Sequence, residues 1–174
     1  KNKYLQPYLI VDTKISGMKL RGKILQSLHD YSRLKTNFII RDKKDSAHMN
    51  KLEYKFQYWN NMLLSPFTLC IRGNGNFSVR LYETLAMGRI PVIIDTDCVF
   101  PLESQIQWRK HCIIINENIP KKAAMALEIA IRRMNKNDIF ELQLMNRKLW
   151  FENLSFSGFY YSFTRYVFKN IYPR

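Results

Sequence analysis

The residues best suited to chemistry lie in one glycine-containing segment between two apolar runs. Gly73 and Gly75 allow a sharp turn and a close approach of the backbone to a ligand. Backbone N–H groups at the start of the helix that follows bind phosphate together with the positive end of the helix dipole. A guanidinium clamps a diphosphate with paired hydrogen bonds, and a carboxylate accepts hydrogen bonds from a ribose diol. The segment therefore predicts a nucleoside diphosphate site built from Arg72, Gly73, Asn74, Gly75, Ser78, Arg80 and Glu83.

The spacing of these residues leaves a purely structural alternative open. A glycine-containing turn between a strand and a helix is common, and Ser78 is also suited to cap the helix. Arg80 and Glu83 are spaced as an ordinary i,i+3 surface pair. The segment is neither a Walker loop nor a GxGxxG turn, because Ser78 stands where the third glycine would be.

The surrounding pattern alternates short apolar runs with helical periodicity. Solidly apolar strands that alternate with helices are typical of a parallel sheet covered on both faces. We therefore predict a single Rossmann-like α/β domain over residues 1–174, with the last helices, from about 137 to 174, packing back over it. The predicted strands cover 8–11, 37–40, 67–71, 90–95 and 112–115. The predicted helices cover 18–31, 46–64, 79–88, 121–134, 137–153 and 157–172.

Helical spacing also predicts which faces point inward. After the glycine segment, Val79, Tyr82 and Ala86 form the expected core face, with Arg80 and Glu83 together on another. Ser46 is the expected cap of the helix that ends at Leu64, which carries an apolar stripe at 52, 56, 59 and 63. The aromatic last helix is interpreted as core packing, against this chain or a missing neighbour, with contact to a membrane surface as the alternative.

Composition narrows the class of protein and of partner. The chain has 174 residues, 47% of them hydrophobic, and a formal net charge of +14, so a globular fold with anionic partners is expected. Cys70, Cys98 and Cys112 have no CxxC spacing and are expected to be reduced core residues. With three scattered histidines, the chain shows no metal-ligand pattern, and no metal site is expected. The chain is also expected to be part of a longer protein.

The full string around the glycine segment resembles the signature of exostosin-type glycosyltransferases. Residues 67–95 follow the family pattern LCxRGxGxxSxRxYExLxxGxIPVxI, and the likeness continues to about residue 116. A second similar stretch runs from Leu142 to Phe159.

This resemblance implies the C-terminal, donor-binding half of a GT-B fold, with the N-terminal acceptor domain absent from this chain. It further implies an inverting transfer from a nucleotide-diphosphate sugar to a glycan or other hydroxyl acceptor, without an essential cofactor or metal. The matching motif positions place Arg72 to Gly75 against the diphosphate, Ser78 and Arg80 on phosphate or sugar, and Glu83 on the ribose. Arg21 and Arg41 lie where relatives often carry basic residues and join the donor-site candidates.

In such a transfer Arg72 and Arg80 would stabilise the leaving group, whereas no residue stands out as the general base. The isolated chain is therefore expected to bind a nucleotide without turnover. The rival interpretations are a basic nucleic-acid-binding module without catalysis, although no known nucleic-acid-binding motif is present, and an inactive transferase-like partner subunit. The resemblance implies a place in the cytoplasm, near the inner membrane, for a bacterial protein, or in the Golgi lumen for a eukaryotic one.

Overall fold

Parallel strands and helices alternate along the chain in a computed structural model, which describes residues 8–12, 18–41, 50–72, 77–95, 98–116 and 120–171. The strands are β1 (Tyr8–Asp12), β2 (Asn37–Arg41), β3 (Phe67–Cys70), β4 (Ile90–Asp95) and β5 (Ile113–Asn116). The α-helices are α1 (Met18–His29), α2 (Lys51–Leu63), α3 (Val79–Ala86), α4 (Pro120–Arg132), α5 (Lys136–Leu149) and α6 (Phe156–Asn170). A 3-10 turn, Trp108–Lys110, precedes β5, and a π-helical segment, Trp150–Leu154, joins α5 to α6.

The strands form two parallel ladders that lie side by side. β1 pairs with β2, with Ile10 opposite Ile39. β4 lies between β3 and β5, with Val92 opposite both Leu69 and Ile113. β1 also contacts β3 across the junction of the two ladders. This arrangement confirms the predicted Rossmann-like α/β class and is consistent with one half of a GT-B fold.

Side chains of alternating strand residues pack into two cores on opposite faces of the sheet. Leu69, Val92 and Ile94 belong to one buried cluster, together with residues of α1 and α4. Cys70 and Ile93, their sequence neighbours, belong to the other, together with residues of α3 and α5. Since successive strand residues point to opposite faces, helices on both sides explain why the strands read as unbroken apolar runs.

The N-terminal ends of α2 and α5 differ from the sequence-based expectations, because other residues cap these helices. Asn50 caps α2, because its side chain accepts a hydrogen bond from the Leu52 amide at 2.9 Å; the predicted cap, Ser46, lies outside the described residues. Asn135 caps α5 through a reciprocal capping box with Asp138, two or three residues before the predicted cap, Asn137 or Asp138.

Two apolar faces predicted by helical spacing are exposed instead. The stripe on α2 is between 49% and 75% exposed at Leu52, Phe56, Trp59 and Leu63, whereas Asn61 and Met62 form the buried side. α6 contacts mainly the π-helical segment, and its aromatic residues are exposed. The interpretation of α6 as core of this chain is therefore wrong. Within the described part of the chain, no helix is long and apolar enough to cross a membrane.

Candidate functional site

Helix α3 starts where the glycine segment ends, at the carboxyl side of β3. Ser78 occupies the N-cap position with extended backbone, φ −121° and ψ 120°, yet its side chain forms no capping hydrogen bond. The capping role that the sequence suggested for its hydroxyl is therefore not observed. The amides of the first turn lie beside this hydroxyl, and these are the groups that phosphates use at helix N-termini.

The buried face of α3 differs from the predicted one. Leu81, Thr84 and Leu85 point into the core, whereas Val79 is 59% exposed. Burying two leucines one turn apart stabilises the helix more than burying Tyr82, whose hydroxyl would need a partner. Thr84 completes this face by placing its hydroxyl 3.7 Å from the Cys70 thiol of β3.

Arg80 and Glu83 do point together, and a tyrosine from another helix holds them. The Tyr58 hydroxyl, on α2, donates a hydrogen bond to Glu83 Oε2. The Arg80 guanidinium carbon lies 5.9 Å from the centroid of the Tyr58 ring. Within the described residues Arg80 and Glu83 form no ion pair with each other. The surface-pair alternative is thus not what brings them together.

Burial keeps the Tyr58 phenol protonated. Loss of water around the hydroxyl raises its pKa, the hydrogen bond to Glu83 raises it further, and the charge of Arg80 opposes the shift without cancelling it. The sequence analysis missed Tyr58, whose only signal is its position one turn before the buried Met62 on α2.

The near end of the glycine segment is fixed by Arg21. Its Nη2 donates to the carbonyl oxygens of Ile71 at 3.4 Å and Arg72 at 3.2 Å. Arg21 belongs to the first turn of α1, so this contact joins the ends of the two ladders. Open α/β sheets bind ligands at such a junction, outside the carboxyl ends of the strands.

The structure thus describes both ends of the candidate site. Arg72 is exposed where the chain leaves β3. Gly73, Asn74 and Gly75 lie outside the described residues, and Arg41 ends β2 with a side chain that is likewise not described. The described candidates are Arg21 and Arg72 at one end of the segment and Ser78, Arg80 and Glu83 at the other.

A small apolar pocket borders the start of α3. Ser78 and Tyr82 contribute to its wall, together with Cys98 and Phe100. Phe100 stacks on Trp108 with ring centroids 5.2 Å apart, and Trp108 Nε1 donates to the Pro101 carbonyl at 2.9 Å. These contacts make the wall rigid beside the helix N-terminus.

Other titratable groups lie in structural roles. His111 Nδ1 lies 3.0 Å from Asn146 Oδ1, and His29 is exposed beside Asp30. Over the described ranges, no three His, Cys, Asp or Glu side chains are grouped as metal ligands. Cys70 and Cys112 are buried, as expected of core residues, whereas Cys98 is half-buried.

Fold and geometry together define a Rossmann-like α/β domain with cationic and carboxylate side chains around a helix N-terminus. The sequence profile of the exostosin GT47 domain matches residues 11–130. That range covers more than half of the chain, which therefore belongs to the exostosin GT47 family. The resemblance drawn from the glycine segment is confirmed.

Similar proteins carry names of the same class. A probable glucuronosyltransferase of Oryza sativa subsp. japonica is 34% identical over 80 residues, which are 45% of this chain and 18% of that protein. A probable glucuronosyltransferase of Physcomitrium patens is 32% identical over 91 residues, 52% of this chain and 19% of that one. Exostosin-1 of Drosophila melanogaster is 28% identical over 107 residues, 62% of this chain and 13% of its own length. Each match thus spans less than a fifth of the relative's length.

Proposed function

We propose that this chain is the nucleotide-sugar-binding domain of a glycosyltransferase, the C-terminal half of a GT-B enzyme. The transfer it serves is inverting, needs no bound metal, and delivers a sugar to a hydroxyl group of a glycan or similar acceptor. Membership of the exostosin GT47 family supports the class of reaction. The family and the names of the relatives support a sugar nucleotide as donor. In this proposal the acceptor site belongs to a second domain.

The observation that carries this proposal is the pairing of Arg80 and Glu83 at the start of α3. Both side chains are half-buried and contact the same tyrosine. A nucleoside diphosphate presents two groups that match this pair, an anionic diphosphate and a neutral ribose diol. Arg80 suits the first and Glu83 the second.

The reaction then follows from charge. The acceptor oxygen bonds to the anomeric carbon, the bond from that carbon to the diphosphate oxygen breaks, and the acceptor proton passes to a general base. Negative charge grows on the departing diphosphate. Arg72, Arg80 and the N-terminal amides of α3 stabilise that charge in the transition state. The base is assigned to the partner domain that completes the cleft.

Calorimetric titration with nucleotides tests the proposal. UDP and GDP are compared with uridine and guanosine, using the wild-type chain, Arg80→Ala and Glu83→Gln. Arg80→Ala should weaken binding of the diphosphate about 10- to 100-fold, the range for a hydrogen bond to a charged group, while the nucleoside is nearly unaffected. Glu83→Gln should weaken both ligands, because the ribose is common to them.

The control is Arg133→Ala, which removes one exposed positive charge near the end of α4. It should leave nucleotide affinity unchanged. If Arg80→Ala and Glu83→Gln bind as the wild type does, these residues are not in a donor site. Tight binding of a single-stranded oligonucleotide with a steep salt dependence, and none of a nucleoside diphosphate, would favour a nucleic-acid module instead.

A further inference from the structure

We propose that Tyr58 is a positioning residue of the donor site, which aims Glu83 at the ribose through its hydroxyl and Arg80 at the diphosphate through its ring. This inference rests on the proposed function and assigns to α2 a part in it. Arg80 and Glu83 of α3 would then contact the ligand, while Tyr58 of α2 fixes the direction of their side chains.

The geometry gives one side chain two distinct contacts. The hydroxyl donates to Oε2 of Glu83, and the second carboxylate oxygen, Oε1, takes no part in this contact. The ring lies under the Arg80 guanidinium at 5.9 Å, a cation–π distance. The Arg80 guanidinium also donates a hydrogen bond to the Tyr58 hydroxyl. Removing the hydroxyl therefore removes the Glu83 contact and weakens the Arg80 contact, whereas removing the ring removes both.

The energetic benefit is pre-organisation. Arginine and glutamate are among the side chains that lose most rotamer freedom when they are fixed. A contact that restricts both before the ligand arrives lowers the entropic cost of binding. In the free chain, Tyr58 already makes contacts that hold both side chains on one side of α3.

The chemistry of the phenol suits an anion site. Burial and the hydrogen bond to Glu83 raise the pKa of Tyr58, so the group is a neutral donor at neutral and moderately alkaline pH. A phenolate here would repel the diphosphate. The neutral hydroxyl instead gives Glu83 a partner without adding charge to the site.

A purely structural role is the competing explanation, and the surroundings of Tyr58 make the two separable. α2 has its own anchor in the buried residues Asn61 and Met62. Tyr58 is only half-buried and belongs to neither core cluster. Replacing it should therefore leave the fold intact.

Two substitutions test its two contacts. Tyr58→Phe removes the hydroxyl and keeps the ring, so nucleoside affinity should fall about 10-fold, the low end expected for a hydrogen bond to a charged group. Affinity for inorganic pyrophosphate should fall less, because the ring contact with Arg80 remains. Tyr58→Leu removes both contacts, so affinity for the nucleoside and for pyrophosphate should fall. Phe56→Leu is the matched control, since it removes an exposed aromatic ring from the same helix and should change neither. Circular dichroism melting verifies that each variant folds.

A double-mutant cycle distinguishes positioning from general destabilisation. In the Glu83→Gln background, Tyr58→Phe should cost clearly less nucleoside affinity than in the wild type, because the carboxylate it orients is gone. Equal losses in both backgrounds, or wild-type affinity in Tyr58→Phe, overturn the proposal. If Arg80→Ala and Glu83→Gln lose binding while both Tyr58 variants retain it, only the role of Tyr58 fails. If the wild type binds no nucleotide, both proposals fail.

Discussion

Asn146 on α5 offers the clearest test of how the sheet and its flanking helix are joined. The side chain is fully buried. Its Nδ2 donates to the carbonyl oxygens of Arg89 and His111, each at 3.0 Å, and its Oδ1 lies 3.0 Å from His111 Nδ1. One amide thus connects α5 to the residue before β4 and to the turn before β5.

Replacing Asn146 with alanine should remove all three hydrogen bonds at once. At about 1 kcal/mol net for each bond, the loss is about 3 kcal/mol, before any cost of carbonyl groups left without a partner. That is a large fraction of the roughly 5–15 kcal/mol that stabilises a typical domain. For a chain of this size the melting temperature should fall by about 6–12 °C.

Urea denaturation followed by tryptophan fluorescence measures the change, because Trp108 is buried in the core cluster next to α5. Asn146→Leu keeps the branched shape, removes the polar contacts and adds some volume to a filled site, so it should also be destabilised. Asn137→Ala, at an exposed position of the same helix, is the control and should change stability by less than about 0.5 kcal/mol. A leucine variant as stable as the wild type would refute the reasoning, because the hydrogen bonds would then contribute nothing net.

Two further predictions concern α6 and the buried thiols. In Gly158→Ala the new methyl group would meet the Phe151 carbonyl oxygen and lie 2.6 Å from the Glu152 carbonyl oxygen. Helix α6 should therefore detach and be cleaved faster by protease, while the unfolding midpoint of the sheet stays unchanged. Equal cleavage rates in the variant and the wild type would contradict this. Burial raises the pKa of the Cys70 thiol from 9.0 to about 12, so the unfolded chain loses this proton first and stability should fall as the pH rises from 9 toward 12. Cys70→Ala should reduce that slope by about 1.4 kcal/mol per pH unit, and an unchanged slope in urea titrations at several pH values would show that the thiol does not contribute.

The sheet was predictable because strand signals here are local and strong. Each run that becomes a strand is largely apolar, and residues on both faces of β3, β4 and β5 belong to the two core clusters. The predicted strand at 90–95 has the bounds of β4. β1, β2 and β3 differ from prediction by one residue at one end, and β5 is shifted by one residue. Sequence alternation was enough, because no competing structure buries an unbroken apolar run as completely.

Helix faces were less predictable, because tertiary contacts choose among several apolar stripes. On α3 the stripe through Val79 and Ala86 competes with the stripe through Leu81 and Leu85, and the sheet selects the larger leucines. On α2 the spacing of Phe56 and Trp59 indicates an amphipathic helix correctly, but that face is not covered within the described chain. Periodicity predicts that a face is apolar; it does not specify what lies against it.

The candidate site was predictable only in part, for a related reason. Arg80 and Glu83 share a helix, so their spacing alone places them together. Tyr58 comes from a different helix, 25 positions from Glu83 along the chain, and no local pattern links the two. Arg21 is separated by 50 positions from Ile71, whose carbonyl it binds. Long-range partners of this kind follow from the topology rather than from any motif.

These contacts show that α3 is held at both ends by other helices. Gly88 ends its C-terminal side with a positive φ of 60°, and a side chain there would come within 3.3 Å of Arg147 and of the Gln143 carbonyl on α5. Arg147 donates to the Ala86 carbonyl, where a cation also complements the negative end of the helix dipole. The N-terminal side carries the side chains that Tyr58 contacts. The orientation of the start of α3 therefore depends on its contacts with both α2 and α5.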